Sequence, residues 1–557
     1  MSPSAGKEGE MTMKIKTVHI HNFRSISDAS IHLHNFNLFV GANNAGKSTC
    51  LDAIRFFFAL TDLSSERDKP LVVKGDEDES TWVQISFETE SEAETTSWND
   101  SLSDSSTTIR RYLKCGKGET GYRLIGKDGK SLKRKLTSVP EKLINWMGEL
   151  VYVPTLSEVS DYTKFSGSST FRDFVFPIME SALELDSNDN YSKMGKALHN
   201  FSKGFSKEKE VVAFKKAMDK ALANWGANID FSMAAPTASE IVKSMLSWTI
   251  SVGGGNKRQD ISAMGSGFKR QFVFTLIKTC AELKNPIGRK DHADKNSPCR
   301  RLLLFEEPES FLHPDQQAEL ARHLRSLATS SYQIVCTTHS AHFLSTNFED
   351  FKSVARFRKE NGITEIAQVS EKDLNTFFNA APTGPTRKQP KADVSEIKYL
   401  LLLNPTRCGA FFAENVLMVE GTSEEALINA MLSDGTLTLP SGTFVLECLG
   451  KFNMPRLMFL LDKFKIRHSL LLDRDKSVEQ RKWNAFVERS KTASTCGIEY
   501  CDSDLEEELG LQAFSGDKWQ KPIDLLLKYK ANTIPNIKAF CHKIESLCST
   551  RVLSTNP

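Results

Sequence analysis

Two groups of residues have the types and spacing to do chemistry. The first begins with Gly41-Ala42-Asn43-Asn44-Ala45-Gly46-Lys47-Ser48, which fits GxxxxGK[ST]. Glycines there let the backbone wrap so that its N–H groups face a phosphate chain, and a helix opening at Lys47 adds positive potential. Lys47 then reaches the β- and γ-phosphates of ATP and Ser48 holds Mg2+, with Asn43, Asn44, Gly46 and Thr49 completing the loop. The apolar run Leu302-Leu303-Leu304-Phe305 ends in Glu306-Glu307-Pro308. One acid at a strand end can share the ion with Ser48 and a second can polarise the attacking water, which assigns Glu306 to the metal and Glu307 to general-base work. His339, in TTHS after the next apolar run, sits where a group sensing the γ-phosphate belongs.

The second group is carboxylic. VLMV ends in Glu420-Gly421, followed by Thr422-Ser423-Glu424, and HSLLL ends in Asp473-Arg474-Asp475. Acids at the ends of parallel strands share one rim of a sheet, which is where an open α/β sheet places its site. An oxygen-only donor set of this kind suits the hard cations Mg2+ or Mn2+. Each acid alone is explained by solvation; together, in matching order, they point to a metal site.

These residues need elements to hold them. IKTVHI and FNLFV have the β-branched and aromatic content of strands, so residues 14–40 are expected to be strands with a turn around Asn22 to Ser30. A helix is expected from about Lys47 to Leu60, giving the strand, glycine loop and helix that a phosphate site requires. Residues 81–126 alternate strand-like runs with turns, and VYVP at 151–154 looks like a buried strand. Residues 171–247 are helical in pattern and lie between two motifs of the first group, so they form an inserted subdomain that either packs on the sheet or dimerises. NAAPTGPTRKQPKAD at 379–393 has the composition of a linker. Beyond it, the βαβαβ rhythm from VLMVE to HSLLLD implies a second parallel sheet.

Composition bounds the rest. The 557 residues exceed what one core can bury. No apolar run is long enough to span a membrane, and the polar N-terminus lacks the apolar stretch of a signal peptide, so a cytoplasmic protein is expected. The eleven cysteines are scattered without a CxxC pair, which suits reduced thiols. Net charge is +2, so any DNA binding has to use local basic surfaces.

In order, NFRSI, GANNAGKS, LLLFEEPESFLHP and TTHS resemble the ABC-type ATPases of the SMC and RecF kind, and the acids Glu420 and Asp473-Arg474-Asp475 resemble those of a Toprim domain. Their fusion resembles the OLD (overcoming lysogenisation defect) nucleases, a group that includes the Gabija nuclease subunit and retron-associated effectors. The fold this implies is an ABC-type P-loop ATPase with a helical insertion followed by a Rossmann-like Toprim domain. Its divisions would be a disordered extension (1–12), the ATPase (13–375, with the insertion at about 171–247), a linker (376–410) and the Toprim domain (411–557).

The resemblance also implies a nucleotide contact for Arg24. It implies a signature loop at Met264-Gly265-Ser266-Gly267-Phe268-Lys269-Arg270-Gln271, opening a helix and capping ATP held by a second subunit, so that a homodimer or higher homo-oligomer forms. Leu449 to Asn453 resembles a glycine–lysine segment of the family. Cys501 to Glu506 resembles a later acidic element, with Asp504 or Glu506 as the ligand, and Lys521, or else Lys538, resembles a basic catalytic position. The implied activity is an ATP-dependent or ATP-regulated DNA endonuclease in antiviral defence, with a helicase or a reverse transcriptase as possible partners. In the implied mechanism two divalent ions about 3.5–4 Å apart flank the phosphodiester. Glu420, Asp473, Asp475, Glu424 and the later acid would hold the ions, and Lys521 would stabilise the transition state. The competing expectation is a non-cleaving ATP-dependent DNA clamp whose Toprim domain recruits partners. A topoisomerase would need a tyrosine in a DNA-breaking domain, and none of the nine tyrosines has that setting.

Overall fold

A computed structural model of the chain describes residues 13–58, 68, 80–89, 108–113, 121–126, 131–136, 150–154, 190–205, 207–222, 250–251, 258–259, 264–265, 268, 272, 275, 301–310, 312–328, 332–344, 348–374, 404–474 and 477–549. Asp475, Ser266, Gly267, residues 1–12 and most of 376–410 lie outside the described residues. The chain divides into two compact units, Met1–Leu150 with Arg300–Pro557, and Val151–Cys299.

The first unit opens with an antiparallel sheet in the order β2-β1-β4-β5-β6-β7. Its strands are β1 (Met13–Phe23), β2 (Ile26–His32), β4 (Thr81–Thr89), β5 (Thr108–Leu113), β6 (Gly121–Ile125) and β7 (Ser131–Leu136). Val18 and Ile20 are buried while His19 between them and His21 after them are not, the alternation of a sheet with one covered face. The turn between β1 and β2 is tighter than the sequence suggested. Phe23 pairs with Ile26, and Arg24 takes a left-handed φ of 51° to close it.

The buried face covers α1 (Lys47–Phe57). Phe57 meets Tyr122 edge-on at 5.8 Å and Phe87 at 6.3 Å, and Phe56 stacks on Phe23. The helix closes before the expected Leu60 because its last carbonyls find side-chain donors. The Tyr122 hydroxyl donates to the Phe57 carbonyl at 2.7 Å and the Arg111 guanidinium donates to that of Phe56.

The nucleotide loop belongs to a second sheet containing β3 (Phe36–Gly41), β11 (Arg301–Glu306), β12 (Tyr332–Thr337), β13 (Val354–Glu360) and β14 (Ile363–Gln368). These five lie in the order β14-β13-β3-β12-β11. β3, β11, β12 and β13 are mutually parallel, and β14 folds back antiparallel on β13. Leu38 to Val40, Leu302 to Phe305 and Ile334 to Cys336 are unbroken buried runs, as expected of a parallel sheet covered on both faces. Helix α4 (Pro314–Leu327) follows β11.

The C-terminal sheet is four-stranded and parallel, in the order β16-β15-β17-β18. It comprises β15 (Asn415–Val419), β16 (Thr443–Glu447), β17 (Arg467–Asp473) and β18 (Thr495–Cys501). Helices α6 (Thr422–Ser433), α7 (Met454–Lys463) and α8 (Val478–Arg489) connect them, and α9 (Leu505–Glu508), α10 (Lys521–Lys530) and α11 (Ile537–Ser549) follow. One core joins Leu417, Val419, Leu427, Ile428, Leu471 and Phe540. The short helix α5 (Pro405–Cys408), capped by the Asn404 side chain, begins inside the stretch expected to be linker.

The second unit begins within β8 (Leu150–Val153). It contains α2 (Asn190–Phe205), α3 (Lys209–Leu222) and a minimal hairpin of β9 (Ile250–Ser251) with β10 (Arg258–Gln259). Phe201 and Phe214 on the two helices are exposed.

Candidate functional site

Sheet order brings the first group together. β12 lies between β3 and β11, so the second residue after β12 falls between the glycine loop after β3 and the acids at the end of β11. His339 occupies that position. Its Nε2 lies 2.8 Å from Lys47 Nζ and 3.2 Å from a Glu307 carboxylate oxygen. The Ser48 hydroxyl hydrogen-bonds to the Glu306 carboxylate, as two ligands of one ion should be placed.

The loop is held from below. Gly41 (φ 144°) and Gly46 (φ 104°) need glycine both for conformation and for space. A Cβ at Gly41 would overlap the Phe357 carbonyl oxygen, and one at Gly46 would overlap the Thr364 side chain. Asn43 and Asn44 are exposed at the crest, and Thr49 is half-buried behind it. The Lys47 ammonium also donates to the Gly41 and Ala42 carbonyls, at 3.0 Å each. Burial lowers its pKa to about 8, against the pull of Glu307, Glu309 and Glu306. Burial, then the Lys47 charge, lowers that of His339.

Two details were not read from the sequence. Glu309 is buried; one of its oxygens accepts the His339 backbone N–H at 2.6 Å, and burial raises its pKa. Arg24 pairs with Asp52 on α1 at 2.7 Å and with Asp68 at 2.6 Å, so its guanidinium braces the helix that carries Ser48. Of the expected signature loop, Gly265 is described and exposed, while Ser266 and Gly267 lie outside the described residues.

The second group converges at the switch point of its sheet. From β15 the chain passes to β16 on one side, then crosses back to β17 on the other, so the crevice between β15 and β17 opens at their C-terminal ends. Glu420 follows β15 and Asp473 ends β17, and a Glu420 carboxylate oxygen accepts the Asp473 backbone N–H at 2.8 Å. Glu424, in the first turn of α6, is buried beside them. Burial first, then the Glu424 and Glu420 charges, push the Asp473 carboxyl up to about 8. Glu424 is pushed up to about 7 by burial and by Glu420.

Two lysines face this surplus of negative charge. Lys521, at the start of α10, pairs with Glu506 at 2.8 Å. Burial opposes its charge, but Glu506, Glu424 and Asp473 outweigh burial and raise its pKa. Lys451 is buried, and its ammonium meets the Glu420 carboxylate (3.1 Å), the Asp473 carbonyl (2.9 Å) and the Asn484 side-chain oxygen (3.1 Å). Gly450 (φ 98°) and the Asn453 amide, which donates to the Cys448 and Leu449 carbonyls, fix the turn that presents Lys451. Its segment was singled out by resemblance, but its role as the tie between the two acids was not.

Of the two later acids, Glu506 faces Lys521, whereas Asp504 caps α9 by accepting the Glu507 N–H at 2.9 Å. Asp475 lies outside the described residues. Among the described residues no three acids, histidines or cysteines are gathered closely enough to hold a metal. The donor chemistry nonetheless fits a hard cation: oxygen ligands only, half-buried or buried, with Glu424 and Asp473 driven toward protonation by burial and by their acidic neighbours.

Comparison with known proteins agrees with this division. The model of the AAA ATPase domain matches residues 13–108 and 86–344, and that of the overcoming lysogenization defect protein-like TOPRIM domain matches residues 411–475. The chain is therefore a P-loop ATPase joined to a Toprim domain. It belongs to the OLD family. The Old nuclease of Escherichia phage P2 is 26% identical over 486 residues, which is 84% of this chain and 78% of that protein. The endonuclease GajA of Bacillus cereus (strain HuB5-5) is 23% identical over 145 residues, 24% of this chain and 20% of GajA. Among solved structures, the Smc head domain bound to the C-terminal domain of ScpA, derived from Pyrococcus furiosus, is 14% identical with a TM-score of 0.38, covering 66% of this chain and all of that one. Among the described residues no helix is long and apolar enough to cross a membrane.

Proposed function

We propose that this chain binds and hydrolyses ATP and is a divalent-metal-dependent DNA endonuclease of antiviral defence. The observation that carries the nuclease reading is the bond from the Asp473 backbone N–H to Glu420 across the switch point, with Glu424 and Lys521 within electrostatic reach of Asp473. The relatives named Old nuclease and endonuclease GajA support it.

In this reading Glu420, Asp473 and Asp475 hold Mg2+ or Mn2+, with Glu424 and Glu506 completing a second position. The engagement of Asp504 in capping favours Glu506. Bound ions would neutralise the phosphodiester, supply hydroxide and stabilise the leaving oxygen. Lys521 stabilises the charge on five-coordinate phosphorus, and Lys451 fixes the spacing of Glu420 and Asp473. In the ATPase half Lys47 binds the phosphates, Ser48 and Glu306 hold Mg2+, Glu307 activates water, and His339 reports the γ-phosphate to Glu307. The loop at Met264 to Gln271 caps ATP on a second copy, and the exposed Phe201 supports self-association through the second unit.

The test is incubation of supercoiled plasmid with Mg2+ or Mn2+. Cleavage by the wild-type chain that is lost with a chelator and in Asp473→Ala is expected. An uncut plasmid that is nonetheless bound in an ATP-dependent way would establish a clamp instead.

A further inference from the structure

The β13–β14 hairpin touches both halves of the first unit. On the nucleotide side, Phe357 of β13 pairs with Gly41, leaving no room for a side chain there. Thr364 of β14 donates its hydroxyl to the Ala45 carbonyl at 3.0 Å and its backbone N–H to the Ser25 carbonyl at 2.7 Å, and it fills the space beside Gly46. The phosphate loop thus rests on the hairpin at both glycines.

On the Toprim side Glu365 of β14 pairs with Lys465 at 3.5 Å, and the buried contact is a guanidinium. Arg356 of β13 donates to the carbonyls of Ala413 (2.6 Å), Phe464 (3.1 Å), Phe411 (3.3 Å) and Lys465 (3.4 Å). Phe411 and Ala413 lead into β15, and Phe464 and Lys465 lead into β17. Those are the two strands that end in Glu420 and Asp473. Around the guanidinium, Phe351, Phe411 and Phe464 pack with ring centroids 5.0–6.2 Å apart, and Lys463 pairs with Asp373 at 2.7 Å.

We propose that the β13–β14 hairpin carries the state of the phosphate loop to the strand pair bearing Glu420 and Asp473, with Thr364 and Arg356 as positioning residues at its two ends. This rests on the ATP-binding reading, but not on cleavage. Lys47 spends its three donors on the Gly41 and Ala42 carbonyls and on His339 Nε2, so a phosphate that takes one of them displaces a present partner and disturbs the loop. A shift of the loop cannot be absorbed at Gly41 or Gly46, where the hairpin is already in contact, because close-packed interiors transmit displacement. Arg356 then moves the starts of both strands together, and a strand is stiff along its length of roughly 15–20 Å.

Hydrogen–deuterium exchange on the full-length chain, with and without a saturating non-hydrolysable ATP analogue and Mg2+, tests this independently of nuclease activity. Protection of residues 41–48 proves binding. Alongside it, exchange in 411–419 and 464–472 is expected to change about fivefold or more in the wild type, the scale of a typical coupling between sites. With the loop still protected, the distal change should vanish in Thr364→Val and persist in Thr364→Ser, which keeps the donor. Arg356→Lys, which keeps the charge but not the fork, should lose the response in one strand or both. A wild type whose loop is protected without any distal change overturns the proposal, as does a distal change that survives both Thr364→Val and Arg356→Lys. Loss of plasmid cleavage alone, with the exchange pattern intact, would bear on the nuclease reading and not on the hairpin.

Discussion

Glu307 takes a left-handed φ of 43°, a conformation that carries a steric cost for a side chain of this kind, and His339 sits between it and Lys47. Such placement is useful if the carboxylate must be aimed at one point. Glu307→Gln keeps the shape and removes the base, so ATP turnover should fall about 100-fold or more while nucleotide affinity is retained. Steady-state hydrolysis together with analogue binding checks this; unchanged turnover would remove Glu307 from the mechanism. The acids of the second site make a prediction about pH. Folding raises the Glu424 carboxyl from 4.5 to about 7 and that of Asp473 from 3.8 to about 8. The folded state therefore favours the protonated forms. Their stabilising effect is complete below the unfolded values and is lost as pH rises through about 7 to 8. In chelator, thermal stability should decline between pH 5 and pH 8, by on the order of a few kcal/mol. Glu424→Gln should recover part of the loss at pH 8, and Mg2+ should do so in the unmutated chain. Melting curves across that range that stay flat, or rise, would show that the two carboxyls do not repel one another.

The phosphate loop works because the elements on either side leave it no slack. Gly41→Ala would drive a methyl group into the Phe357 carbonyl of β13, whereas Gly435, also left-handed at φ 79°, has open space around it. Gly435→Ala should cost only the conformational term, about 1 kcal/mol, while Gly41→Ala should cost distinctly more and weaken nucleotide binding. Urea unfolding of the two variants compares them directly, and equal losses would mean that the strand contact is soft. This contrast also marks what sequence can reveal. The glycine–lysine loop and the positions of Glu306-Glu307, Glu420 and Asp473 at strand ends were legible because each is a short-range pattern attached to an apolar strand. β18 was not singled out, because Thr495–Cys501 is an edge strand of mixed polarity. Lys451 as the tie between Glu420 and Asp473, Arg356 under both Toprim strands, and the Thr364 contact with the loop are made by residues distant in sequence. No local period encodes such contacts. The turn at Arg24 and the end of α1 at Phe57 were misjudged for the same reason, since a left-handed residue and the Tyr122 and Arg111 donors set them.

At the scale of the molecule, two clusters of acids are built on two sheets, and in each the acids stand at the ends of parallel strands beside a lysine. The repetition is chemical: both sheets gather unlike loops at one rim, and in the proposed function both substrates are phosphates. The near balance of 72 basic and 70 acidic residues gives no overall field to draw DNA in, so binding must come from local surfaces. Separate sites with a shared frame make a definite prediction for variants that disable one site at a time. Lys47→Ala removes the phosphate contact but leaves the Arg356 carbonyl bonds in place, so the Toprim fold and its metal-dependent cleavage in the absence of ATP should persist, while hydrolysis and any response of cleavage to ATP are lost. Asp473→Ala removes a charge that burial already disfavours, so ATP hydrolysis should persist within about twofold and cleavage should be lost; substitutions at sites without shared partners usually act independently on stability. Measuring both activities in both variants separates two halves that share a frame from one composite site. If Asp473→Ala abolished hydrolysis, or Lys47→Ala abolished cleavage without nucleotide, the second of these would hold, and the two rims would have to be treated as one catalytic unit.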